Sequence, residues 1–399
     1  MRGCATVALV CSLALSVWGS QARASSLSSL LGQGRFADLR LAPLGPALAN
    51  AVALTYPVAS ASSSVTYVYN PTLDVLERRT GVGGPIIGER AETIGRGVLD
   101  VSLSYSHVSL TTINGQDLDH LVNRPVVDGR VISFPVPAGT MLKDGRFTNF
   151  LPVRVTADLG IAANIVTPLL TYGVTRDLDV NVTLPILQTS FDVDTRSQIP
   201  DPRLPAFAIP QGPPGGTRRL GASESAAGVG DLLLRAKYLV LRQDLVDVAA
   251  LLGLSLPTGD RDNFQGTGTT RVQPTLVLSH VFGDRFEPLL NVGVDINAND
   301  VNRSIVRWAV GTTAQLGPVT GVLVFLGRHE LDRQSDPIEP PFFFQIERNQ
   351  QYDASIGLRW RFADTGFVSA NALVPLNQQG LRADVIPTVE VEYAFSAPL

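Results

Sequence analysis

"YDASIGLRWRF" runs from Tyr352 to Phe362, and its reading decides the fold. Even positions carry Tyr352, Ala354, Ile356, Leu358, Trp360 and Phe362, whereas odd positions carry Asp353, Ser355, Gly357, Arg359 and Arg361. A period of two is the mark of a β-strand whose faces meet different surroundings. The same split recurs in "LDVSLSYSH" (99–107), "LDVNVTLPI" (178–186), "GDLLLRAKYLV" (230–240), "SIVRWAVGTTA" (304–314) and "PTVEVEYAF" (387–395). Twelve such segments are expected, near 98–109, 152–174, 178–192, 229–242, 247–257, 269–282, 286–297, 303–316, 319–328, 350–362, 366–376 and 385–395. Most reach the ~9–11 residues that a tilted strand needs to cross a bilayer.

Long links (110–151, 193–228, 258–268, 329–349) alternate with tight turns at 175–177, 243–246, 283–285, 317–318 and 363–365. Long loops on one side and short turns on the other is the plan of an outer-membrane barrel. Tyr172, Tyr238, Phe282, Trp360, Phe362 and Phe395 fall at the short-turn ends, where amphipathic rings suit a membrane–water boundary. The expected fold is all-β: a transmembrane antiparallel up-and-down barrel of about twelve strands, with a mostly non-barrel N-terminal segment. A soluble β-sandwich shares the alternation but not the aromatic-ended apolar rows opposite charged ones.

Composition narrows the compartment. Arg2, the apolar run "ATVALVCSLALSVWG" and Ala22-Arg23-Ala24 form a secretory signal peptide, expected to be cleaved after Ala24. Both cysteines, Cys4 and Cys11, would leave with it, so the mature chain has no thiol chemistry. It would keep 30 Lys and Arg against 36 Asp and Glu, a net charge of −6 that gives no reason to expect nucleic acid. The division is then 1–24 signal, 25–96 a periplasmic or lumenal plug, and 97–399 barrel.

In a closed barrel the polar face lines the lumen. Asp158, Asp231, Arg235, Lys237, Arg307, Arg359, Arg361 and Glu390 are the candidates there, either as cross-strand ion pairs or as a polar path for solute. "GPIIGERAETIGRG" (84–97) lacks the Gly-Lys-Ser/Thr ending of a phosphate loop and offers no nucleophile with a base. Glu89, Arg90, Glu92 and Arg96 are instead expected to point into the lumen and latch the N-terminal segment to the wall. Glu92 and Arg96 would stand i,i+4 on any short helix, and Gly95 and Gly97 would permit the bend into the first strand.

Signals for chemistry are thin. Ser106 and His107 are adjacent on one strand and so face opposite sides, which prevents a nucleophile–base pair. No HExxH, CxxC or GxSxG occurs. "PTGDRDN" (257–263) has the look of a calcium loop without its bidentate glutamate. No catalytic residue, metal ligand or cofactor is expected. Proline-rich 193–228 reads as an extended surface loop, and "PPFFF" (340–344) as an apolar cluster in an outer loop.

"GPIIGERAETIGRG" (84–97), "NGQDLDHL" (114–121), "YGVTRDLDV" (172–180), "GVGDLLLRAKY" (228–238), "LSLPTGDRDNFQGTG" (254–268), "QPTLVLS" (273–279) and "NVGVDIN" (291–297) resemble the outer-membrane transporter family associated with the phenol meta-cleavage degradation pathway. That resemblance implies an outer-membrane barrel of a Gram-negative bacterium that moves small, often aromatic or hydrophobic, compounds. The expected function is passive transport, with a sealed structural or surface-interaction barrel as the alternative. Expected partners are outer-membrane lipids, a small-molecule solute and, during biogenesis, the barrel-assembly machinery.

Overall fold

The computed structural model describes residues 26–32, 44–57, 60–61, 66–70, 75–79, 82–122, 126–127, 130–131, 133–141, 147–152, 154–198, 217–283, 285–331, 336–337, 345–346 and 350–396. Among them twelve antiparallel strands close a barrel. These are β1 (Val98–Ile113), β2 (Arg154–Gly173), β3 (Leu178–Thr183, continuing as Ile186–Gln198) and β4 (Thr217–Val229, continuing as Leu232–Arg242). Then come β5 (Asp247–Leu256), β6 (Arg271–Ser279), β7 (Phe286–Asn297) and β8 (Ile305–Leu316). The last four are β9 (Val319–Glu330), β10 (Gln351–Arg361), β11 (Gly366–Pro375) and β12 (Leu381–Ala383, continuing as Ile386–Ser396). Closure comes from β12 on β1, with Val391 opposite Leu103 and Tyr393 opposite Val101. All twelve expected segments are strands, joined by the expected tight turns at what is here called the lower end.

Two strands run further than the sequence reading allowed. Residues 193–198 and 217–228, expected as loop, pair as upper halves of β3 and β4, from Ile186↔Val229 to Gln198↔Thr217. Both strands break at the same level. Pro185 has no N–H to give the ladder, and its carbonyl accepts from Gly230 N at 2.7 Å. The rest of the proline-rich stretch, 199–216, and the "PPFFF" cluster lie outside the described residues.

The polarity of the two faces reverses with height. In the lower half of β1 the inward residues are Asp100, Ser102, Ser104 and Ser106, all buried, while Val101, Leu103 and Tyr105 are exposed outside. Further up the inward residues become Val108, Leu110 and Ile113. On β2 and β3 the upper inward residues are Leu159, Ile161, Phe191 and Val193, and Asp158, Asp192 and Asp194 face out. An apolar exterior below and a polar one above is what a barrel shows when its upper end stands clear of the membrane.

The apolar upper lumen is filled by the N-terminal segment. A 3₁₀ turn (Leu27–Gly32) and helix α1 (Leu44–Thr55) bury Leu27, Leu30, Leu48, Ala49 and Val52 against that wall. Phe264 reaches in from the 257–270 loop and meets Phe191 edge-on at 5.4 Å. Asp260 caps that loop, accepting from Asp262 N at 2.9 Å and Asn263 Nδ2 at 2.7 Å. Its carboxylate therefore serves the turn.

Candidate functional site: the lumenal latch and cavity

From Val82 the chain rises into the lower lumen, turns at Gly88 (φ 96°) and descends to β1. The turn is held by Asn291 on β7, which accepts from Glu89 N at 2.8 Å and donates to Glu89 O at 2.8 Å. Glu89 pairs with Arg235 on β4 at 3.2 Å and accepts from Ala61 N at 2.8 Å. Arg90 pairs with Glu92 at 2.9 Å and with Glu287 on β7 at 3.2 Å. Burial lowers the pKa of the Arg90 guanidinium, but Glu287 and Glu92 more than offset this and leave it raised. Lys237 donates to Arg90 O at 3.2 Å and Glu92 O at 2.8 Å, with Asp179 at 3.9 Å. Asp179 in turn accepts from Ile94 N at 2.9 Å. These pairs are buried, so each polar group needs its partner and the loop has one seat.

Arg96 departs from the expectation. No helix forms here; Gly95 (φ 98°) and Gly97 (φ 70°) bend the chain into β1 and leave Arg96 exposed at the lower rim. Gly173 makes that bend possible, since a Cβ there would lie 1.8 Å from Gly95 O. Asp158 also departs, because it belongs to the exposed outer face above the polarity reversal. Arg361 is half-exposed at the lower end of β10.

The remaining candidates are inside. Arg359 is fully buried, 2.9 Å from Glu390 and 3.4 Å from Glu392, and donates to Ser369 at 2.8 Å. Asp231 anchors the 257–270 loop, accepting from Gly259 N at 3.1 Å, Thr267 N at 2.8 Å and Thr267 Oγ1 at 2.7 Å. Arg307 bonds Asp295, which also accepts from Arg271 at 2.6 Å and Gln273 at 3.2 Å. Ser106 and His107 face opposite sides: the first bonds Thr388 at 2.8 Å and the second Asn164 at 2.9 Å.

Between α1 above and the 82–97 loop below lies a cavity of about 360 Å³. Leu54, Pro57, Ile87, Leu326 and Leu373 give it an apolar wall, and Arg271, Arg307, Arg328, Asp353 and Arg382 a charged one. Sequence reasoning missed Arg271, Arg328 and Arg382, which sit at or near strand ends. No group of His, Cys, Asp or Glu placed to hold a metal ion occurs among the described residues.

Among solved structures, the chain is similar to an outer membrane channel from Pseudomonas putida F1, with 13% identity over 76% of this chain and 98% of that one and a TM-score of 0.47. It is also similar to the Ralstonia pickettii toluene transporter TbuX, with 12% identity over 75% and 90% and a TM-score of 0.34. No curated protein matches. Residues 142–380 match the model of a family described as "Putative MetA-pathway of phenol degradation". With more than half its length matched, the chain belongs to that phenol-degradation family.

Proposed function

We propose that the protein is a passive channel in the outer membrane of a Gram-negative bacterium, passing small, often aromatic or hydrophobic, solutes. The observation that carries this reading is a solute-sized cavity in the lumen of a barrel with an apolar outer belt. Val101, Leu103, Tyr238, Val292, Ile356, Leu358, Trp360 and Val391 all stand exposed on that belt, which is tolerable only against lipid. The signal peptide delivers the chain to the periplasm, and the barrel-assembly machinery inserts it. The N-terminal segment then acts as an internal gate: α1 plugs the upper lumen and the 82–97 loop crosses the lower one. No cofactor is needed, and the protein acts by conduction rather than by bond-making chemistry.

The test is flux of a neutral aromatic solute, benzyl alcohol, into liposomes containing refolded protein. Folding is checked by the mobility shift of unboiled barrels on gels. Flux above that of protein-free liposomes supports the reading; a folded protein that admits no solute refutes it.

A further inference from the structure

The charged wall of the cavity holds more positive charge than its own carboxylates match. Arg235, Arg271, Arg307, Arg328 and Arg382 line it against Glu89, Asp231, Asp295 and Asp353, and Glu89 is taken by Arg235. Glu330 follows Arg328 on the same face but lies outside the lining. Asp295 is shared by Arg271 and Arg307, and Asp353 is taken by Arg382 at 2.5 Å. Arg328 has no carboxylate within ion-pair distance among the described residues; its hydrogen bond goes to Leu54 O, at the end of α1. Arg307 Nε and Arg382 Nε have no hydrogen-bond partner.

Arg307 and Arg328 are register partners across β8 and β9. Like charges directly opposite each other are destabilising; Asp295 offsets Arg307, and Arg328 is left without a carboxylate of its own. One strand repeat below, about 7 Å along the same face, the partners are Ala309 and Leu326. Ile87 and Leu373 pack beside them. A two-arginine fork thus stands one ring's length from an apolar patch. The guanidinium is always charged and matches the two oxygens of a carboxylate.

We infer that the cavity selects small aromatic monoanions, arenecarboxylates in particular, with Arg307 and Arg328 taking the carboxylate and Ile87, Ala309, Leu326 and Leu373 taking the ring. This rests on the channel reading above and names its substrate class. A neutral ring would leave Arg328 without a carboxylate partner, and an ammonium would be repelled.

The test is calorimetric binding of benzoate and benzyl alcohol to detergent-solubilised full-length protein at pH 7, beside liposome flux of both. Benzoate is expected to bind at least tenfold tighter than benzyl alcohol. Arg307→Gln, which leaves the α1 contact intact, and Arg328→Gln are each expected to weaken benzoate about tenfold or more. Benzyl alcohol binding should be unchanged, and Arg328→Lys should restore part of the benzoate affinity. Equal affinity for the two probes, or arginine variants that lose both or neither, would overturn the assignment even if flux persists. Absence of flux for both probes refutes the channel reading separately. If one variant fails the gel-shift test for folding, the other decides.

Discussion

Glu89, next to the tip of the inward loop, meets Arg235 of β4 across the lumen at 3.2 Å. Arg235 also donates to Asn181 at 3.0 Å and Thr183 at 3.0 Å, so its guanidinium is fixed before the loop arrives. Removing one member of a buried pair leaves the other charge uncompensated, at a cost of about 3–5 kcal/mol. Glu89→Gln is therefore expected to unseat the loop without opening the barrel. Single-channel conductance should rise and residues 82–95 should become accessible to protease, with the gel shift retained. Glu89→Gln combined with Arg235→Gln should recover part of the loss. Unchanged conductance and protection would show that the pair does not hold the gate.

The return of the loop into β1 depends on Gly173. A methyl group there would overlap Gly95 O, and neither is a flexible side-chain end that can move aside. Gly173→Ala is expected to lower stability by about 1–3 kcal/mol, the usual cost of overpacking, and to loosen the latch. Gly321→Ala, whose new Cβ would meet only Ala314 O at 3.9 Å, should have little effect. Thermal melts of the two variants side by side provide the comparison.

Seating of the N-terminal segment is expected to depend on pH. Tyr56, just past α1, donates to Phe264 O at 2.7 Å and borders the cavity while enclosed by the barrel. Burial raises its phenol pKa above the ordinary 10.0. A raised folded-state pKa means the contribution is complete below the free phenol's pKa and declines as pH rises past it. Plug seating should therefore be flat with respect to Tyr56 from pH 5 to 9 and weaken above about pH 10. Tyr56→Phe should remove that alkaline phase. Conductance recorded between pH 7 and 11 reads both; an alkaline phase that survives in Tyr56→Phe would assign it elsewhere.

Trp308 and Trp360 report the position of the membrane. The chain has three tryptophans, and the third, Trp18, lies in the expected signal peptide. Trp308 packs near Tyr352 at the upper end of β10, with ring centres 6.3 Å apart, and Trp360 sits eight residues further down that strand. That is roughly 27 Å along the strand, or about 20 Å across the bilayer at the tilt such barrels adopt. Both indoles should be quenched by lipids labelled near the headgroups and little by lipids labelled at the chain ends. Strong quenching of either by the deep label would displace the belt.

The twelve strands were legible because alternation is a property of the backbone: neighbouring side chains must point to opposite faces. Alternation does not say which face is inside. Asp158 was placed in the lumen by carrying the membrane-level rule upward, past the height at which α1 makes the inside the apolar side. The bend at Gly95 and Gly97 is legible in the sequence, but not that it turns Arg96 outward to the rim. Pairings such as Lys237 with the carbonyls of residues 90 and 92 were not legible. They depend on how far the loop rises, which the register of the wall and the side chain of Asn291 decide. Arg328 closes the expected segment 319–328, and its place opposite Arg307 follows only from the paired register.

Passage of solute through a lumen gated by the N-terminal segment is measured by benzyl alcohol flux through wild-type and Glu89→Gln protein in matched liposomes. Measurable flux is expected for wild type and faster flux for the variant, with both proteins showing the gel shift of a folded barrel. Folded proteins with no flux in either, or with flux that the substitution leaves unchanged, would contradict it.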